Sequence, residues 1–376
     1  MSKIGLNIIH SFPVNNINSD ENRVPKNAQI YGVNRVYQSS QCWNRAIRDT
    51  YFNGVVTAYN TKNIDELVTS ICKDSNVDTT KIDMCVSVIH KFLTGSETNK
   101  TKNTDKKGAV STNTTKSNST DKKDVLLKVS VVGIRNMIKY ILGVDENKID
   151  NKELEKCYKN VDDGDVIAFF GNMNANNAEL NVDSIVQTAH AFTTHTLYPF
   201  GNLYTAMDDY SFSSTGAGHL GRSYFNSGTF YRSIIIDVDK FKESTMMSLN
   251  PDHTANLAEK KNKLAKLIRS CLTAVPSGSS AKAEANTTCN FVVGLTSCNP
   301  FSYSDAFAKP IVADEDTVQN SVDKLTKTIE SKNSVYELST DAIVALHDVC
   351  TENHSGIIDA ANMTEFINTL IDPCFK

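Results

Sequence analysis

The chain has 376 residues, 40% of them hydrophobic and 22% charged, with a formal net charge of -4. That balance fits a globular protein with room for a sizeable core and one or two domains. No membrane-spanning helix is expected, because no apolar stretch approaches the ~20 residues that a bilayer requires. The opening MSKIGLNIIHSFPVNN has one lysine and too short an apolar run for a secretory signal, so a soluble cytoplasmic protein is expected. Nine cysteines, an odd number with no C-x-x-C pair, argue against a disulfide framework or a structural zinc site.

Charge is uneven along the chain. Residues 1–52 carry six Lys/Arg against three Asp/Glu, and residues 311–376 carry four Lys against twelve Asp/Glu. One surface is therefore suited to an anionic partner, for which a local basic patch is enough.

In chain order, KIGLNIIHSF predicts a first strand stopped by Pro13, followed by an Asn-rich loop and a second extended segment over Gln29–Gln38. A helix then starts within QSSQCWNRAIRD. Helical spacing recurs over 64–75 and 81–94. Residues 94–124 hold a single large apolar residue, Val110, and predict a disordered surface insertion. VLLKVSV reads as a strand and GIRNMIKYILG as a helix ended by Gly143. DVIAFFG (165–171) and SIVQTAHAFTTHT (184–196) read as strands. Residues 197–224 offer little core material. Strands are expected at 229–239 and 289–297, and helices at 255–273 and 316–332. Without steady βαβ alternation, an α+β fold is favoured.

The helix near residue 40 carries the main chemical signal. At about 100° per residue, Gln41, Asn44, Arg45 and Arg48 share one face, and Trp43, Ala46, Ile47, Thr50 and Tyr51 share the side that packs. Ser39 or Ser40 is the N-cap. Helix N–H groups and guanidinium groups on one exposed face suit phosphate oxygens. The competing interpretation is an ordinary capped helix with a solvated basic face. PSGSSAKA (276–283) either cradles phosphate through backbone N–H groups or is a mobile loop. GAGHLG (216–221) matches G-x-G-x-x-G but lacks the strand–turn–helix context of a dinucleotide site, and a hairpin needing close backbone approach fits better. His190, His195 and His219 have no metal-ligand spacing, and no nucleophile elbow or P-loop is present.

NRVPKNAQIYGVNRVYQSSQCWNRAIR, FFGNM, VQTAHAFTTH, LYTAMDD, GAGHLG, FNSGTFYR and LTAVPSG occur in this order. Together, over roughly residues 4–312, they resemble the CasC family, the crRNA-binding backbone subunit of the type I-E CRISPR Cascade complex. The resemblance implies a modified RRM-like (ferredoxin-like) palm with a helical fingers insertion and a projecting β-hairpin thumb. The palm would comprise 1–60, 161–195 and 227–376, the last with an acidic tail. The fingers would be 61–160 and the thumb 196–226. The implied RNA-backbone contacts are Lys26, Ser39, Gln41, Arg45 and Arg48, with Ser277, Gly278 and Lys282 from the PSG loop. Met173 would displace a base at intervals together with the thumb residues Tyr204, Thr205 and Met207. The implied partners are crRNA, target DNA, further copies in a head-to-tail filament and other Cascade subunits. No catalytic residue, metal or cofactor is expected. The alternative is an RRM-like endoribonuclease that processes CRISPR repeat RNA, with His190, His195 or His219 as acid–base groups.

Overall fold

The computed structural model describes residues 2–95, 126–159, 165–174, 177–207, 217–244, 257–347 and 356–375. Its elements are β1 (Lys3–Asn15), β2 (Asn27–Ile30), β3 (Val33–Gln38), α1 (Ser40–Tyr51), β4 (Ala58–Thr61), α2 (Ile64–Asp74), α3 (Thr79–Thr94), β5 (Leu127–Ser130), α4 (Val131–Gly143), α5 (Asn151–Lys159) and α6 (Asp165–Phe170). They continue with β6 (Val186–Thr188), β7 (Ala191–Thr193), β8 (Phe200–Met207), β9 (Ala217–Asp237), α7 (Val238–Glu243), α8 (Leu257–Thr273), β10 (Phe291–Ser297), α9 (Thr317–Val335), β11 (Ala342–His347), β12 (Ile358–Asp359) and α10 (Met363–Ile371). The chain forms two units, one of residues 1–55, 185–244 and 254–376, the other of 56–184 and 245–253.

The first unit is built on β1, which pairs antiparallel with β9 on one side and β10 on the other. The path β1, α1, β6/β7, β9, α8, β10, with the order β10-β1-β9-β7, is the β-α-β-β-α-β arrangement of a ferredoxin-like or RRM-like fold. β11 and β12 extend one edge, and the β2–β3 hairpin extends the other. Every residue from Ile4 to His10 is buried. The strand reads as a mostly apolar run, broken by Asn7 and His10, because both sheet faces are covered. On one face, Ile8, His10 and Phe12 stand opposite Arg232, Phe230 and Gly228. Trp43 of α1 packs there with Phe12 and Phe230. α10 covers the same face, since a Cβ on Gly294 would lie 2.6 Å from Leu370 Cδ1. On the other face, Ile9, Tyr231, Phe291 and Val293 pack against Phe307 and against Val322, Leu325 and Ile329 of α9.

β9 runs for 21 residues. Its second half, from Asn226, pairs with β1, and its first half pairs with β8 as a hairpin beyond the end of β1. Residues 217–221 of the GAGHLG motif enter this hairpin. Tyr204 stands opposite Gly221, where any Cβ would overlap the tyrosine ring.

In the second unit, the β4–β5 pair and helices α2 to α5 enclose a separate core that includes Val68, Ile89, Phe92, Ile134, Met137 and Tyr158. Gly133 is required there, because a Cβ would come within 2.7 Å of the Tyr158 ring.

Four sequence expectations are corrected. β1 does not stop at Pro13. The register shifts between Phe12 and Asn15, so the proline occupies a bulge where no N–H is needed. Gln29–Gln38 is part of a hairpin rather than one extended segment, turning at Tyr31 (φ 53°) and Gly32 (φ 80°) as a type I′ turn demands. Residues 184–196 form two short strands rather than one. DVIAFFG is a helix, not a strand. Val166, Ile167, Ala168 and Phe169 are all buried, so the segment has no amphipathic period to mark it, and Gly171 (φ 70°) ends it. The 94–124 insertion lies almost wholly in 96–125, outside the described residues.

Candidate nucleic-acid interface

The N-terminus of α1 is built by three separate segments. Ser39 is the N-cap (φ -68°, ψ 149°), and its Oγ accepts from Cys42 N–H at 3.4 Å. Ser39 N–H donates to Asn18 Oδ1 at 2.9 Å, and Ser40 N–H donates to His190 Nδ1 at 2.8 Å. The Gln41 N–H has no intramolecular acceptor among the described residues. The packing side is buried at Trp43, Ala46, Ile47 and Tyr51, leaving Gln41 and Arg45 exposed.

These groups open onto a cleft of about 680 Å³, walled by Ile17 and Asn18, by Ser39, Gln41 and Arg45, and by Pro276, Ser277 and Gly278. The N–H groups of Ser277, Gly278 and Ser279 also lack intramolecular acceptors among the described residues. Residues of a helix start and of a loop that carry such N–H groups, Gln41, Ser277 and Gly278, thus line one cleft, a setting suited to a phosphate. Gly278 is fixed by contact, since a Cβ there would overlap the Ile17 carbonyl. Burial pushes the Cys42 thiol up to about 11 against the opposing pull of Lys26 and Arg45, so it stays protonated while both cations lie near it.

The remaining sequence candidates fall in several places. Asp49 also borders the cleft, with Oδ2 3.7 Å from Arg45 Nε and Oδ1 3.4 Å from Arg48 Nε. Such exposed pairs are weak and exchange readily for a phosphate. Arg48 does not line the cleft. Lys282 lies away from it, its Nζ 6.0 Å from the Tyr204 ring centroid, so loop and hairpin meet there. Thr205 is exposed and pairs with Leu220, while Met207 is described in its backbone only. Met173, in the second unit, is 84% exposed. Its neighbours are tied down, Asn172 by Val182 and Asn174 Nδ2 by Leu93 O at 2.8 Å.

Arg35, counted among the basic residues of the N-terminal region, is buried and donates to Thr193 O and Phe307 O at 2.5 and 2.6 Å. His195 is buried, with Nδ1–H donating to Thr196 O and Nε2 accepting from Thr229 N–H. Burial lowers its pKa and keeps it neutral. The His219 side chain lies outside the described residues. Sequence reasoning missed Asn18 and the capping role of His190. The Asn-rich loop was a signal for the first, whereas nothing local links His190 to a helix 150 residues earlier.

Fold and cleft together define an RRM-like α+β protein with an anion-suited groove at its first helix. The chain belongs to the CT1975-like protein family, whose model matches residues 4–372. No curated protein matches it in sequence. Among solved structures it is similar to a chain of a pre-nicking CRISPR RNA-guided surveillance complex, with TM-score 0.75, 20% identity and 99% of each chain covered. It is also similar to a chain of another CRISPR RNA-guided surveillance complex, with TM-score 0.59, 18% identity, and 99% of this chain and 98% of that one covered.

Proposed function

We propose that this protein is a non-catalytic, crRNA-binding backbone subunit of a type I CRISPR interference complex, of the type I-E kind. Copies stack head to tail along one guide, beside other Cascade subunits, and present it to target DNA in the cytoplasm. The 61–160 region is the fingers and the β8–β9 hairpin is the thumb. The observation that carries this proposal is the cleft at Ser39–Arg45, lined by Gln41, Ser277 and Gly278, whose N–H groups have no intramolecular acceptor among the described residues, with Arg45 on its wall and Lys26 near Cys42 beside it. Backbone donors and guanidinium groups hold sugar–phosphate and leave base edges free. Family membership and the fold shared with surveillance-complex chains support the same conclusion.

The test is binding of single-stranded RNA across salt concentrations. Arg45→Ala is expected to weaken binding about tenfold, the worth of one charged hydrogen bond, and to make the salt slope shallower by about 0.7. The loss should be equal for unrelated sequences. A loss confined to particular sequences would contradict backbone holding. Met173→Ala has a different expected signature. It should abolish periodic base displacement, read by chemical probing of bound RNA, with little change in affinity. An unchanged probing pattern would remove Met173 from the wedge role.

A further inference from the structure

Arg232 lies where a charge is costly. It is 1% exposed, on the β9 face that packs against α1. Its Nε, Nη1 and Nη2 have no hydrogen-bond partner among the described residues, and no carboxylate there pairs with it. Its guanidinium carbon lies 3.9 Å from the centroid of the Trp43 ring, which is the one evident compensation. Its titratable neighbours, His10, Cys271 and Cys289, are on β1, at the end of α8 and before β10. Burial first, and then Arg232 itself, holds His10 neutral, down to about 3. Burial pushes Cys271 up to about 12, so it remains a thiol. Burial lowers Arg232 to about 10, which still leaves it charged at neutral pH.

A buried ion without a partner is destabilising, and an apolar side chain of similar length would pack here at lower cost. Departures of this kind concentrate at functional sites. We propose that Arg232 is a positioning charge for the phosphate cleft: stacked under Trp43, it adds positive potential through the first turn of α1 to an anion bound at Ser39–Arg45. The inference rests on the RNA-backbone role proposed above.

Trp43 is the fourth residue of α1. A helix rises ~1.5 Å per residue and is ~10 Å across, so Arg232 and a phosphate on the opposite side are separated by about 10 Å. The space between is protein rather than salt solution, so screening is weak. At an effective dielectric near ~20 the attraction amounts to about tenfold in affinity. It has the same sign as the helix dipole and reinforces it.

Full-length wild type and Arg232→Met are to be compared in RNA binding across salt concentrations and in thermal unfolding. The expected variant melts higher, binds about tenfold more weakly and keeps the wild-type salt slope, because Arg232 displaces no counterion from RNA. Arg45→Ala, by contrast, changes the slope. A variant that binds as wild type does overturns the inference. So does one that melts lower or fails to fold, since Arg232 would then be a structural anchor. If wild type binds no RNA, the functional proposal itself fails. If wild type binds and Arg232→Met equals it, only the role of Arg232 fails.

Discussion

Acidification from about pH 7 to pH 3 is expected to remove on the order of 4–5 kcal/mol of stability from the first unit through His10 alone. The imidazole is buried between β1 and the Thr287 segment, where Nε2–H donates to the Thr287 carbonyl at 3.0 Å. Desolvation, then the charge of Arg232, lowers its pKa from 6.5 to about 3, and the Thr287 hydrogen bond offsets only part of this. The unfolded chain takes up the proton near pH 6.5 and the folded chain only near pH 3. Stability from this group is therefore complete above about pH 6.5 and falls progressively toward pH 3, at about 1.4 kcal/mol per pH unit. Denaturant unfolding of wild type and His10→Gln at a series of pH values measures it. The glutamine amide can still donate to Thr287 but does not titrate, so its profile should be flatter. Parallel profiles for the two proteins would show that His10 does not govern acid sensitivity.

Gly278→Val is expected to damage the cleft more than any change to a single exposed donor. The added atoms overlap the Ile17 carbonyl, which is backbone and has no rotamer with which to yield. The 277–279 loop must move away from the Ile17–Asn18 segment, at a stability cost of about 1–3 kcal/mol typical of overpacking. Its N–H groups shift relative to Gln41 and Arg45, which line the same cleft. Each hydrogen bond to a charged group is worth about 1.5–3 kcal/mol, so losing one lowers RNA affinity by roughly 10- to 100-fold. Ser277→Ala is the control, because it removes a side chain and leaves the backbone donors in place. Equal RNA affinity for Gly278→Val and wild type would exclude the loop from binding.

The sequence showed much of the palm, and physical reasons explain the parts it hid. α1 was legible because it has one packed side and one polar side, and β10 because seven consecutive residues are buried. α6 was misread because burial all around erases the period that separates helix from strand. The C-terminal strand β11 has intermediate burial at four of its six residues and gave no clear alternation. In the candidate site, Ser39, Gln41, Arg45, Ser277 and Gly278 do line one cleft. What sequence could not reveal were long-range partners: His190 on the Ser40 N–H at the start of α1, and Arg232 under Trp43.

Ordinary RRM sheets leave one face open and stack bases on its aromatic residues. Here α9 lies across that face, and Tyr231 and Phe291 beneath it are enclosed in its core. The surface on which a relative of this fold would spell out its ligand is shut. For the proposed role this means one unaltered gene product can serve every new spacer, with no co-evolution between the chain and the guides it carries.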